Sequence, residues 1–217
     1  MIISKIESGV LNSAFFGVKM SFRNDQVLGA ETRIILDKAR ECLEFEGDFV
    51  EFGCYKGDTS LMLAEILRLK SLKKPNLNAK LWIYDSFEGL PEKSEEDYSE
   101  LGRDFKTGEL AVSKREVKER FLRANLPVPV IKKAWFEDLT EADLPEKISF
   151  AFLDGDLYES IKISLKLVEN KIKKGVIIVH DYNNEALPGV AKAVDKWAKK
   201  CDYEVYREYS LAIIEIG

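Results

Sequence analysis

The stretch DFVEFGCYKGDTSL, residues 48–61, has the pattern of a strand, a tight turn and the start of a helix. Residues 49–52 supply β-formers without a turn residue. Gly53 and Gly57 then permit backbone angles that a Cβ would block. Residues 58–60 are N-cap types and precede an apolar run with helical spacing. Such a turn points backbone N–H groups and a helix N-terminus into a crevice, which suits the carboxylate or phosphate of a ligand.

The glycine pattern alone does not distinguish a cofactor site from an ordinary turn between a strand and a helix. Tyr55 stands in the region of the middle glycine of a G-x-G-x-x-G motif. On this stretch the two interpretations have equal weight, so the rest of the chain decides between them.

Length and composition indicate one α/β domain in a reducing compartment. The chain has 217 residues, 46% of them hydrophobic, and a net charge of −5 with dispersed cations, which argues against a nucleic-acid surface. No apolar run approaches a membrane span, and the first residues do not form a signal peptide. The three cysteines are scattered without C-x-x-C spacing, so we expect a cytoplasmic protein without disulfides or thiolate metal sites.

Strands and helices alternate along the chain, which predicts a mostly parallel sheet with helices on both faces. After the first strand, the predicted strands are residues 80–85, 128–134, 147–154, 175–181, 203–206 and 211–216. The predicted helices are residues 29–43, 60–70, 113–124, 157–170 and 187–200. The segment of residues 87–113 is too long for a plain connector. We interpret it as a lid over the site, with a solvent-exposed loop as the alternative.

Polar residues gather where the predicted strands end, at the edge where open α/β sheets bind ligands. They are Glu51, Gly53, Asp85, Glu137, Asp138, Asp154, His180 and Asp181. Asp85 ends the second strand, where an acid in a dinucleotide fold accepts from ribose hydroxyls; a turn or capping acid is the alternative.

Asp154, His180 and Asp181 end two strands that we expect to be neighbours. Their oxygen and nitrogen donors could converge on a hard divalent cation such as Mg²⁺, although imidazole also suits Mn²⁺ or Fe²⁺. His180 is the only histidine of the chain, and a purely structural role for it has equal weight. Asp156 is interpreted as a cap for the helix that starts near residue 157.

Five segments of the chain resemble the macrocin O-methyltransferase-like (TylF-type) family of class I S-adenosylmethionine-dependent, metal-dependent O-methyltransferases. They are GDFVEFGCYKGDTSLM, LWIYDSFEGLP, AWFEDL, FAFLDGDLYESIKISL and GVIIVHDYNNEALPGVAKAVDKW, which together cover most of residues 47–198. The resemblance implies a Rossmann-like fold, a mostly parallel seven-stranded sheet with an antiparallel last strand. It also implies methylation of a hydroxyl on a small molecule such as a sugar or phenol.

The resemblance further implies a role for each matching residue. Glu51, Gly53, Tyr55, Gly57 and Thr59 hold the methionine portion of the cofactor; Asp85, with Ser86 beside it, takes the ribose; Phe136 and Glu137 border the adenine, and Asp154 completes the cofactor site. Asp154, His180 and Asp181 hold the metal, for which the resemblance implies magnesium, and Asp154 or His180 takes the proton of the acceptor. The family shows Asp-Asp-Tyr where this chain has His180-Asp181-Tyr182, so His180 is either a ligand or a base.

The domain prediction places an N-terminal helical, acceptor-side cap at residues 1–46 and the methyltransferase domain at residues 47–217. The expected partner is a small-molecule hydroxyl acceptor rather than nucleic acid or membrane, and a homodimer is compatible with the sequence. Two rivals are a nicotinamide-dependent reductase, whose third phosphate-facing glycine is not found, and a non-catalytic S-adenosylmethionine-binding relative that acts as a scaffold or sensor.

Overall fold

The computed structural model describes residues 26–73 and 79–217. Most of the predicted N-terminal helical segment therefore lies outside the described residues. The strands are β1 (Asp48–Phe52), β2 (Leu81–Asp85), β3 (Val130–Lys133), β4 (Ile148–Leu153), β5 (Ile172–Val179), β6 (Tyr206–Glu208) and β7 (Leu211–Ile216). The helices are α1 (Gly29–Cys42), α2 (Asp58–Lys73), α3 (Lys114–Arg123), α4 (Tyr158–Val168) and α5 (Pro188–Cys201).

The strands form one sheet in the order β3-β2-β1-β4-β5-β7-β6. The neighbours from β3 to β5 pair in parallel, and β7 pairs antiparallel with both β5 and β6. The predicted α/β class, the seven strands and the antiparallel last strand are confirmed. The chain order reverses between β1 and β4, so a crevice opens at the carboxyl ends of these two central strands.

Alternate residues of the central strands feed two cores, one on each face of the sheet. Phe49 and Phe150 pack with α1, α2 and α3, whereas Val50 and Ala151 pack with α4 and α5. The near-continuous apolar character of β1 and β4 follows from this two-sided burial. Among the described helices, none combines the length and apolar character that a membrane span needs.

Helix α3 begins where the sequence predicts. The Ser113 side chain accepts from the Glu116 N–H, and the Glu116 carboxylate accepts in return from the Ser113 N–H at 3.0 Å. This reciprocal pair is a capping box, which satisfies donors that the first turn leaves free.

Three sequence predictions need correction. The cap of α4 is not Asp156, which contributes no cap bond; the N–H of Tyr158 donates instead to Asp97 Oδ1 at 2.7 Å. Strand β5 starts at Ile172 rather than Gly175, because Ile172 is already paired with Ile148. Strand β6 occupies Tyr206–Glu208 rather than residues 203–206, since Tyr203 packs against the core of α4 and α5 while pairing with β7 starts at Tyr206.

Candidate active site

The turn after β1 depends on its two glycines. Gly53 and Gly57 have φ values of 83° and 79°, and Tyr55 between them has a φ of 45°. A Cβ on Gly53 would overlap the carbonyl oxygen of Asp154 at the end of β4. The turn therefore lies directly against the neighbouring strand end, as the sequence pattern indicates.

Asp85, at the end of β2, organises this turn from below. One carboxylate oxygen accepts from the N–H of Cys54 at 2.8 Å and of Tyr55 at 3.3 Å, and the other accepts from the N–H of Phe87 at 2.7 Å. Asp85 therefore does act as a turn acid, which is the alternative role that the sequence allowed. Because a carboxylate offers about four acceptor positions, one remains for a ligand hydroxyl.

Helix α3 braces the turn from the other side. Arg120 donates from Nη1 to the carbonyl oxygen of Lys56 at 2.6 Å and forms an ion pair with Asp58 at the start of α2. This guanidinium fixes the turn to α3 and partly neutralises an acid at the first position of α2.

Glu51 is a carboxyl group buried beneath the turn, with 1% of its surface exposed. Ser60 in α2 donates a hydrogen bond to it. Burial, followed by the charges of Asp154 and Asp85, raises the pKa of Glu51 to about 8. Near neutral pH this group therefore holds its proton unless a cation lies beside it.

At the ends of β4 and β5, one imidazole sits among carboxylates. Nδ1 of His180 lies 3.0 Å from Asp154 Oδ1 and 3.0 Å from Asp181 Oδ2, and Nε2 lies 3.6 Å from Glu31 Oε2 in α1. Burial opposes the charged form, but the carboxylates, with Asp154 first, hold the pKa of His180 well above its usual range. Asp181 has a φ of 59° and also accepts from Asn184 at 2.8 Å.

The predicted metal ligands fit a divalent cation. One ligand atom each from Asp154, His180 and Asp181 lies within 4.8 Å of the others. The three carboxylates that face His180 outnumber its single positive charge, so the cluster favours a further cation. Two oxygen donors and one nitrogen donor are a set that several first-row metals accept.

One cavity of about 670 Å³ joins the turn to this cluster. Its lining includes almost every residue predicted for the site: Glu51, Gly53, Tyr55, Thr59, Asp85, Ser86, Phe136, Glu137, Asp154, His180 and Asp181. Gly57 is the exception, because it shapes the turn without lining the cavity. Apart from Gly57, the residues predicted for the site thus line one cavity.

Two acids of this region, Glu31 and Asp156, are not among the residues that the sequence predicts for the site. Glu31 reaches His180 from α1, and nothing in its local sequence pairs it with residue 180. Asp156 lines the cavity with a φ of 61°, and burial with the charges of Asp154 and Asp181 raises its pKa well above the usual range. The signal for Asp156 is its place two residues after Asp154, although an acid just before a helix is also typical of a cap.

The segment between β2 and α3 forms one wall of the cavity and is tied to the rest of the fold. Asp97 is fully buried, accepts from both the N–H and the hydroxyl of Ser94, and caps α4. Ser99 donates to the carbonyl oxygen of Glu185 at 2.7 Å. These bonds attach the middle of the segment to the neighbourhood of α4 and α5.

The parallel sheet with a reversed last strand, and the glycine turn facing two acid-bearing strand ends, define a Rossmann-like protein with a ligand crevice. The sequence model of the family described as macrocin-O-methyltransferase (TylF) matches residues 32–205. The chain belongs to this family.

Two curated relatives support this assignment. The chain is 29% identical over 179 residues to demethyldecarbamoylnovobiocin O-methyltransferase of Streptomyces niveus, covering 77% of this chain and 66% of the relative. It is 29% identical over 163 residues to 8-demethyl-8-(2,3-dimethoxy-alpha-L-rhamnosyl)-tetracenomycin-C 4'-O-methyltransferase of Streptomyces olivaceus, covering 70% and 61%. The matched part thus spans slightly less than two thirds of the length of these relatives.

Solved structures give the same fold. The O-methyltransferase NovP superposes with a TM-score of 0.70 at 26% identity, covering 85% of this chain and 79% of NovP. The calicheamicin methyltransferase CalS11 also has a TM-score of 0.70, at 18% identity, covering 87% and 79%. The second likeness concerns the fold alone.

Proposed function

We propose that the protein is an S-adenosylmethionine-dependent O-methyltransferase that methylates a hydroxyl of a small molecule such as a sugar or phenol. The observation that carries this proposal is the continuous cavity that joins the glycine turn to the cluster of Asp154, His180 and Asp181. A donor held at the turn and an acceptor held at the cluster would meet within that cavity. Family membership supports the reaction type. The names of the two curated relatives describe O-methylation of natural products.

The donor site is supported by its charge and its shape. The methionine portion would lie on the turn near Thr59, with Glu51 beneath it, and the ribose would use the remaining acceptor position of Asp85. Phe136 packs edge-on against Phe52, with ring centroids 5.2 Å apart, and offers an apolar surface for adenine. The many acids of the lining suit a ligand that carries both a sulfonium and an ammonium charge.

The proposed step transfers the methyl group in line: the carbon–sulfur bond breaks as a carbon–oxygen bond forms, and the acceptor proton goes to the protein. Asp154, His180 and Asp181 would hold a divalent metal, which lowers the pKa of a bound hydroxyl and orients it. As a ligand His180 would use its lone pair on the metal, so the Asp154 carboxylate is the better acceptor of the proton.

We also propose that Gln26 and Val27, which precede α1, and the 87–113 segment form the acceptor side of the cavity. The buried Asp97 bonds the segment to α4, which supports a role for the segment in excluding water from the site; the opening of the segment as a lid stays a prediction.

A second candidate function is supported by His180 itself. An imidazolium between Asp154, Asp181 and Glu31 would partly neutralise the cluster internally, which would suit a non-catalytic S-adenosylmethionine-binding relative. Tight binding of the cofactor without turnover on any acceptor would favour this alternative.

The test is a methyl-transfer screen over sugars, phenols and their glycosides, with labelled S-adenosylmethionine and with or without Mg²⁺ or Mn²⁺. We expect Asp154→Asn to lower kcat/KM by roughly 10²-fold or more, because it removes a ligand and a proton acceptor together. Asp138→Asn is the matched control, since Asp138 is exposed and lies outside the cavity lining. An Asp154→Asn variant with the activity of the control would refute the assignment of the site.

A further inference from the structure

Glu31 is a buried carboxylate that the proposed reaction does not use. It lies in the first turn of α1 with 1% of its surface exposed. Its Oε1 accepts from the N–H of Ser210 at 2.9 Å and from the Ser210 hydroxyl at 2.6 Å, and its Oε2 accepts from the N–H of Leu28 at 3.1 Å. These bonds join α1 to the turn between β6 and β7.

The hydrogen bonds of Glu31 leave one acceptor position unused, and that position lies on the oxygen nearest His180. Each carboxylate oxygen accepts about two hydrogen bonds. The two bonds from Ser210 fill Oε1, whereas Leu28 fills only half of Oε2. Nε2 of His180 lies 3.6 Å from that same Oε2, within ion-pair range and slightly beyond a hydrogen bond.

The opposite ring nitrogen faces the predicted metal ligands. Nδ1 of His180 lies 3.0 Å from one oxygen each of Asp154 and Asp181. A neutral imidazole has one nitrogen that donates and one that accepts, and the partner of the first decides which is which. Asp154 and Asp181 also accept only, so without a cation Nδ1 carries a proton as well. A divalent cation bound to Asp154 and Asp181 would displace that proton, whereas Glu31 keeps the proton on Nε2 and leaves the lone pair of Nδ1 for the cation.

We propose that Glu31 is a positioning residue that holds the His180 ring in the Nε2–H tautomer, so that Nδ1 becomes a ligand of a divalent cation shared with Asp154 and Asp181. The arrangement is a carboxylate–histidine–metal relay, in which the outer carboxylate fixes the ring and raises its basicity. This inference rests on the proposed metal-assisted function.

The relay also predicts the metal that the site prefers. A nitrogen donor favours first-row transition ions such as Mn²⁺ or Co²⁺ over Mg²⁺, which prefers oxygen ligands. His180→Asp would make the donor set all oxygen. We expect this variant to shift the ratio of Mn²⁺ to Mg²⁺ affinity toward Mg²⁺ by roughly tenfold.

The single histidine makes a direct test possible. In protein labelled with isotopic nitrogen in histidine, all imidazole signals come from His180. In the wild type with Zn²⁺, a diamagnetic probe, we expect Nε2 to carry a proton and Nδ1 to carry none. An imidazole with both nitrogens protonated, unchanged by Zn²⁺ or by chelation, would overturn the proposal without the use of any variant.

Glu31→Gln is the matched variant. We expect it to weaken Zn²⁺ and Mn²⁺ binding, measured by calorimetry, by roughly 10–100-fold and to mix the two tautomers. Ser210→Ala is its control, because it removes a bond to Oε1 and leaves Oε2 facing His180; its metal affinity should stay within about twofold of the wild type. Equal metal affinity in Glu31→Gln and the wild type would refute the positioning role.

The outcomes separate this inference from the proposed function. Zn²⁺ binding through Nδ1 together with no turnover on the acceptor panel would leave the inference standing and count against the function. Methyl transfer that persists under chelation, with His180 doubly protonated throughout, would leave the function standing and overturn the inference.

Discussion

At the scale of single residues, Glu51 sets a dependence of stability on pH. Its pKa of about 8 in the folded protein exceeds the usual value of 4.5 because burial and neighbouring acids disfavour the charged form. Between these two pH values the folded state binds more protons than the unfolded state. The contribution of Glu51 to the free energy of unfolding is therefore full below about pH 4.5 and is lost as the pH rises toward 8.

Replacing Glu51 by Gln should remove this dependence. We expect the free energy of unfolding of Glu51→Gln, relative to the wild type, to increase from pH 5 to pH 8, by up to about 1.4 kcal/mol per pH unit. Urea denaturation of both proteins at several pH values measures the difference in the free energy of unfolding. The contributions of the other titrating groups are common to both proteins and cancel in this difference. A difference that is flat or falls with pH would contradict the buried, protonated state.

At the scale of secondary-structure elements, Asp97 links the 87–113 segment to α4. Asp97→Ala should lower the free energy of unfolding by about 1–3 kcal/mol, because the buried N–H of Tyr158 loses its acceptor. Chemical denaturation measures the effect. Asp104→Ala in the same segment is the control: the Asp104 side chain, which pairs with Lys93 and Lys106, is 65% exposed, and we expect a change within about 0.5 kcal/mol.

The caps show where local sequence suffices and where it fails. Ser113 and Glu116 lie three residues apart, so the capping box of α3 could be predicted from the chain alone. The cap of α4 comes from Asp97, 61 residues before the N–H of Tyr158 that it accepts. Such a bond follows from the tertiary fold, and a local pattern instead suggested Asp156.

At the scale of the whole molecule, binding of the donor should raise thermal stability. S-adenosylhomocysteine at 100 times its Kd should add about 2.7 kcal/mol to the free energy of unfolding. For a chain of this size that corresponds to a rise in Tm of roughly 5–10 °C. Differential scanning fluorimetry measures it, with NADH as the control ligand. A shift with NADH and none with S-adenosylhomocysteine would favour the reductase instead.

The sheet was predictable because each strand carries its own signal, and the site was predictable because its acids follow the ends of those strands. Asp85, Asp154 and Asp181 could be placed at one edge without coordinates. The hydrogen bonds of Asp85 to the turn, and the approach of Glu31 to His180, could not. Both depend on side chains from distant elements, whose relative placement is decided by packing.

The two outermost strands of the sheet have a consequence for self-association. Residues of β3 are exposed or half-buried and include Lys132 and Lys133, while all residues of β6 are exposed and include Arg207 and Glu208. Charged side chains on short outer strands discourage another chain from continuing the hydrogen-bond ladder. We therefore expect the sheet to resist templated aggregation, and a second copy of the chain to dock, if it does, through helices rather than by extending the sheet.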